Sequence, residues 1–218
     1  MKIITALEAV KTRRFTIEHI LDRVEYICIR TSDAPSGRII SREARRELFI
    51  LYPEQNRIII NDDGMIIGYW FFVTLNQEHF KLAREKMLIE QNITRMSTRL
   101  PGVGLNNIYI INIGILPEYH GYCDGGGKLL ESFITQIESF AERGIFFNEW
   151  ITNARTDYGH KYSSMFGLQP IGQHKINKVT VYFGAVTGNL MTSMLNRHAF
   201  MKKFPRLIAY YKDRFSRR

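Results

Sequence analysis

The stretch "ILPEYHGYCDGGGKLL", Ile115 to Leu130, decides how the rest of the chain is read. An apolar run ends at Pro117, four glycines fall within the next seven-residue window, Gly121 to Gly127, and a helical pattern begins at Lys128. A buried strand that feeds a glycine-rich turn into a helix is an anion site by construction. The first N–H groups of a helix lack partners within it, and the helix dipole adds partial positive charge there. Glycines let several N–H groups point at one phosphate because no Cβ intervenes. Lys128 adds a charge at the rim. The same residues also make a tight turn that holds nothing.

Two common phosphate loops are excluded. The nucleotide loop G-x-x-x-x-G-K-[ST] needs a glycine where Tyr122 stands and a hydroxyl where Leu129 stands. The dinucleotide pattern G-x-G-x-x-G needs a third glycine where Leu130 stands.

Outward from this stretch the pattern is that of an α/β protein. "NIYIINIGIL" (Asn107 to Leu116) is β-branched and nearly all apolar, which predicts a strand buried on both faces. Leu129, Leu130, Phe133, Ile134, Ile137 and Phe140 share one side of a helix over Lys128 to Arg143, closed by Gly144. "IFFNEWIT" (Ile145 to Thr152) and "KVTVYFGAV" (Lys178 to Val186) read as strands, with a short helix between them from Thr156 to Phe166. Upstream, "RIIINDDGMIIGYWFFV" (Arg57 to Val73) is a hairpin, since Asp63-Gly64 suits a turn of positive φ. Glu78 to Met96 has helical composition. Two helices are expected earlier: one over Thr16 to Ile29, capped by Thr16, and one over Ser41 to Leu51, ended by Pro53. Ser32 to Arg38 is a loop by its turn chemistry. The resulting division is a helical part over 1–56, a mixed-sheet core over 57–186 and a basic helical tail over 187–218.

The chain has 218 residues, 45% of them hydrophobic, and a formal net charge of +9. That composition is globular and favours anionic partners without choosing among them. Cys28 and Cys123 give neither a disulfide framework nor a metal spacing, so free thiols, no metal and a reducing compartment are expected. The densest apolar run, Met65 to Val73, is far short of the ~20 residues of a membrane span. A cytoplasmic protein is the default expectation.

The same residues resemble the acyl-coenzyme A signature of the GCN5-related N-acetyltransferases. There a strand ending V-x-P leads into an [RQ]-x-x-G-x-[GA] loop and a long helix. Ile115-Leu116-Pro117 is similar to the strand end, Gly125-Gly126-Gly127 to the G-x-G step and Lys128-Leu129-Leu130 to the helix start. "YSSMFGLQPIG" (Tyr162 to Gly172) looks like the family's Y-x-x-x-G-F-x-x-x-G segment. The likeness spans roughly 57 to 186. Tyr122 or His120 stands at the family's basic or amide position, and Leu168 replaces an aromatic.

The resemblance implies an acyl-CoA N-acyltransferase fold. It also implies transfer of an acetyl or other short acyl group from acyl-CoA to a primary amine by direct attack in a ternary complex. Implied cofactor contacts are Ile113, Gly114 and Ile115 on the strand, Gly121, Tyr122, Cys123, Asp124, Gly125, Gly126, Gly127 and Lys128 at the loop, and Asn153. Glu149, a lone carboxylate in an apolar strand, is the implied general base, and burial would raise its pKa. Tyr109 and Asn112 are the alternative, as partners of a proton-carrying water. Tyr162 is the implied donor to the leaving thiolate, with Ser163, which occupies the family's tyrosine position, and Tyr158 as rivals. The amine acceptor is unreadable. A non-catalytic relative of the fold, or a basic nucleic-acid binder, is the competing reading.

From Arg197 to Arg218 there are eight Lys or Arg and one acid, Asp213, with five aromatics interleaved. Three readings fit this tail. It contacts nucleic acid or tRNA, it packs as a helix on the sheet or on a second copy in a homodimer, or it lies on a membrane surface.

Overall fold

The computed structural model describes residues 1–32, 40–120, 125–187 and 199–216. The described chain runs β1 (Lys2–Ile4), α1 (Ala6–Lys11), α2 (Ile17–Ser32), α3 (Arg42–Leu51), β2 (Asn56–Ile60), β3 (Ile66–Leu75), α4 (Gln77–Arg84) and β4 (Thr98–Arg99). It continues with β5 (Gly104–Ile115), α5 (Gly125–Glu142), β6 (Ile145–Ala154), α6 (Asp157–Met165), β7 (Gln169–Gln173), β8 (Thr180–Ala185) and α7 (Pro205–Ser216). The sheet order is β1-β2-β3-β5-β6-β8-β7, with β4 on the end of β3. Among the described strands, only β5 and β6 pair in parallel.

Local chemistry explains several boundaries. Thr16 Oγ1 accepts from His19 N at 3.1 Å and Ser41 Oγ from Ala44 N at 3.2 Å, so each caps its helix. In the β2–β3 turn Gly64 takes φ +83° and its N–H donates to Asn61 O, the geometry an Asp-Gly pair favours. Gly144 (φ +77°) and Gly167 (φ +73°) end α5 and α6 as left-handed caps.

Alternation along β3 divides two cores. Tyr69, Phe71 and Val73 face α2, α3 and α4, while Trp70 and Phe72 face α5. Around Phe133 of α5, Trp70, Phe72 and Trp150 stand edge-on at 5.6, 5.9 and 5.8 Å. Gly68 permits the close approach of β3 to its neighbours. A Cβ there would lie 2.6 Å from Ile59 Cγ2 and 2.9 Å from Gly114 O. Gly68→Ala is therefore expected to lower unfolding free energy by about 1–3 kcal/mol, measured by urea denaturation.

Several expectations change. The part before residue 57 is not purely helical, because β1 pairs with β2 at the sheet edge. The glycine triplet is the first turn of α5, not a loop. The helix expected over Glu78 to Met96 stops at Arg84, because Lys86 takes the left-handed φ of +63°. Two short 3₁₀ turns, Glu90–Asn92 and Arg95–Ser97, carry the chain onward. β7 is a strand that the sequence pattern does not suggest. The second half of β5 is only half-buried, not covered on both faces. Of the loop expected over Ser32 to Arg38, Ser32 ends α2 and the rest lies outside the described residues.

The described part of the basic tail, 199–216, folds onto the body. Leu207, Ile208 and Tyr211 of α7 join the core beside α5. Tyr211 Oη donates to Phe147 O at 3.0 Å and accepts from Phe147 N at 3.0 Å, inside a core that pushes its phenol pKa up. Lys203 and Arg206 pair at 2.8 Å with Glu131 and Glu142 of α5. No helix among the described residues is long and apolar enough to cross a membrane.

Candidate active site

The parallel pairing of β5 and β6 ends at Ile110 and Thr152, although β5 continues to Ile115 and β6 to Ala154. At the fork Thr152 Oγ1 donates to Ile110 O at 2.9 Å. Ile111 is an extra residue where β5 bulges against β3. Beyond the fork the strands part, while β6 stays paired with β8 from Glu149 to Ala154. A cavity of about 340 Å³ opens between them. It is walled by Ile110–Ile115 of β5, the last turns of α2, the end of β6 and one face of α6.

A carboxyl that the sequence pattern hides stands in this cavity. Glu90, in the first 3₁₀ turn after α4, is buried. Its Oε1 accepts from Tyr109 Oη at 2.9 Å and from Asn153 Nδ2 at 2.9 Å. Asn153 Nδ2 also lies 2.8 Å from Tyr109 Oη, which closes a triangle. Burial pushes the Glu90 carboxyl above the ordinary range, against the opposing pull of nearby Arg155 and of these donors. Tyr109 is pushed up strongly, by burial first and by the Glu90 charge second.

The segment carrying Glu90 is tethered on its outer side. His174 is buried, and its Nε2 donates to Leu88 O at 2.8 Å. Its Nδ1 accepts from the N–H of Ile176 at 3.2 Å, so the ring is the neutral Nε2–H form. Lys86 Nζ donates to Ile171 O at 3.2 Å and Lys175 N to Lys86 O at 2.9 Å. The β7–β8 hairpin thus clamps the chain on which Glu90 sits.

Other cavity residues come from separate elements. Gly114 lies so close to α2 that a Cβ would sit 2.9 Å from Thr31 Oγ1. Cys28, a buried thiol, accepts from Asn112 Nδ2 at 3.5 Å. His120 Nε2 donates to Ile115 O at 2.9 Å, and its ring meets Tyr158 edge-on at 4.6 Å. Tyr162 and Ser163 both line the cavity. Ser163 Oγ donates at 2.8 Å to Gly159 O of its own helix, whereas Tyr162 Oη lies 3.5 Å from where a Gly126 Cβ would be. The first turn of α5 therefore adjoins the cavity: Gly125 packs on Ile115, Gly126 faces Tyr162, and Lys128 is exposed.

Of the residues expected from sequence, Ile113, Gly114, Ile115, Asn153, Tyr162 and Ser163 gather at the cavity. Gly121, Tyr122, Cys123 and Asp124 lie outside the described residues. Glu149 is elsewhere. It shares a face with Asn153 but lies four residues back along β6, about 13 Å away. There the strands are still paired, Asn107 with Glu149, and its carboxylate lies 3.4 Å from Arg84. It lines a different pocket with Gln77, Arg99 and Asn148. Glu149, expected as the general base, therefore lines that pocket and not the cavity between the parted strands. Glu90 and Arg155 line the cavity as well, and sequence reasoning singled out neither. The sequence signal for the first was a lone carboxylate after Leu88-Ile89, inside a stretch read as helix.

No protein-family model matches the chain, and no curated protein matches it in sequence. Solved structures do match. GphF, described as a GNAT-like decarboxylase in complex with isobutyryl-CoA, superposes with a TM-score of 0.54 at 13% identity, over 85% of this chain and 99% of its own. A GNAT-family acetyltransferase from Staphylococcus aureus Mu50 gives 0.49 at 12% identity, over 84% and 98%. The loading GNATL domain of CurA from Lyngbya majuscula gives 0.48 at 12%, over 74% and 91%. With its forked β5–β6 pair, its α5 placement and the GphF superposition, the chain has the GNAT-like fold, that of the GCN5-related N-acetyltransferase superfamily.

Proposed function

We propose that the protein is an acyl-CoA-dependent N-acyltransferase that moves an acetyl or other short acyl group to a primary amine within a ternary complex. The observation that carries this is the fork at Ile110 and Thr152, which opens a cavity beside the first turn of a glycine-started helix. A strand edge released from its partner offers main-chain groups to the amide-bearing arm of coenzyme A, here over Ile111 to Ile115. The first N–H groups of α5 suit the diphosphate, and Lys128 at its rim adds charge.

The attacking amine must shed a proton. Glu90, whose pKa is raised and whose carboxyl lies within the cavity, is assigned as the general base, with Tyr109 and Asn153 holding it. Tyr162 is assigned as donor to the leaving thiolate, since Ser163 spends its hydrogen on Gly159 O.

Acetyl-CoA at a hundred times its dissociation constant stabilises a binding protein by about 2.7 kcal/mol. For a chain of this size the melting temperature is expected to rise by about 5–10 °C. Release of free thiol on adding a panel of primary amines then reports turnover. No thermal shift at saturating acetyl-CoA would leave only a non-catalytic reading.

A further inference from the structure

The cavity wall carries a guanidinium with a donor that its neighbours leave unmatched. Arg155 sits between the end of β6 and Thr156, the N-cap of α6, and lines the cavity wall. Its Nη2 atom is buried and has no hydrogen-bond partner among the described residues. A guanidinium stays charged in a protein, and a buried donor without an acceptor is costly, so the site is short of an acceptor. Glu90 does not supply it. Its Oε1 accepts from Tyr109 and Asn153, and although its charge acts on nearby Arg155, among the described residues no hydrogen bond or ion pair joins the two. The other cavity arginine, Arg30, lies near Glu118 at 3.9 Å, with both side chains about half-exposed. Arg155 therefore lines, with one donor unmatched, a small space in which Glu90 is the one acidic lining residue among those described.

We propose that the substrate reacting in this cavity carries a carboxylate, and that Arg155 holds it. This rests on the acyl-CoA reading and names the substrate class. A planar guanidinium matches a carboxylate through two parallel N–H bonds, and the match is strongest where water is excluded. A volume of about 340 Å³ suits a small molecule and is too small for a folded chain. Two sources share this chemistry. The carboxylate belongs either to an amino-acid acceptor, whose amine then attacks the thioester, or to the far end of a dicarboxylic acyl group on coenzyme A.

Three measurements on the full chain test this. Binding of coenzyme A alone is measured by calorimetry. Malonyl-CoA is compared with acetyl-CoA for affinity. With acetyl-CoA bound, a panel of amino acids is compared with the corresponding amino-acid amides as acceptors. A charge-assisted bond in a buried site is equivalent to about tenfold or more in affinity. The expected result is a preference of at least about tenfold for the acid in one of the two carboxylate arms. That preference is expected to vanish in Arg155→Met and to survive in part in Arg155→Lys, chiefly through KM. If coenzyme A binds and neither arm of the wild-type protein prefers the acid, this inference is overturned alone. A preference that persists in Arg155→Met overturns it too. If coenzyme A itself does not bind, the acyl-CoA reading falls and takes this one with it.

Discussion

Glu90→Gln is expected to lower kcat by about 10²–10⁴-fold, the usual contribution of a positioned general base. The fold should survive. Gln offers the same oxygen to Tyr109 and Asn153, and it removes a carboxylate that burial penalises. The pH dependence has a definite sign. A carboxyl whose folded-state pKa lies above its unfolded value stabilises the protein when protonated, and that contribution is lost as pH rises through the folded pKa. The wild type should thus weaken relative to Glu90→Gln as pH climbs, read from urea midpoints across pH. Its kcat/KM should rise over the same window, because the base works only when unprotonated. Tyr109→Phe should move that rise to higher pH, since the Tyr109 hydrogen bond holds the Glu90 pKa down. A Glu90→Gln protein with full turnover would remove Glu90 from the chemistry.

Replacing Gly126 and Gly127 with leucine is expected to weaken coenzyme A binding by about 10–100-fold while leaving the melting temperature unchanged or higher. Leucine favours a helix over glycine by up to about 1 kcal/mol per site, so the first turn of α5 gains intrinsic stability. Gly126 tolerates a Cβ at 3.5 Å from Tyr162 Oη, and Gly127 is exposed. What the longer side chains take is the space between that turn and Tyr162, where the diphosphate must approach the N–H groups. Each charge-assisted bond lost costs about 1.5–3 kcal/mol. Gly125 is left alone because it packs against Ile115. Calorimetry with coenzyme A measures the effect, and unchanged affinity would mean the turn holds no phosphate.

The strands and helices with strong patterns were legible. Asp63-Gly64 between two apolar runs could only turn, and Thr16, Ser41, Gly144 and Gly167 act as the caps their chemistry suggests. A helix after the glycines was also legible, though it starts at Gly125 and not at Lys128; Gly114 and Tyr162, which the family resemblance singled out, line the cavity. What stayed hidden depends on contacts distant in the chain. Period-2 alternation puts Glu149 and Asn153 on one face, but only the point where β5 and β6 part decides which of them meets the cleft. Glu90 is buried by Tyr109, nineteen residues on, and by Asn153, sixty-three residues on. Lys86 ends α4 in a left-handed conformation that no glycine announces. β7, five residues with a proline and a glycine, is a strand because β8 supplies its partner.

The hydroxyl of Tyr211 joins both main-chain polar groups of Phe147, a residue beside the β6 irregularity. A ribosome delivers Tyr211 after every strand of the sheet. Until it arrives, a nascent chain carries an open polar notch in an otherwise apolar wall, facing the aromatic cluster. The docking of α7 closes that notch, so maturation of the core around Phe133 waits for this helix.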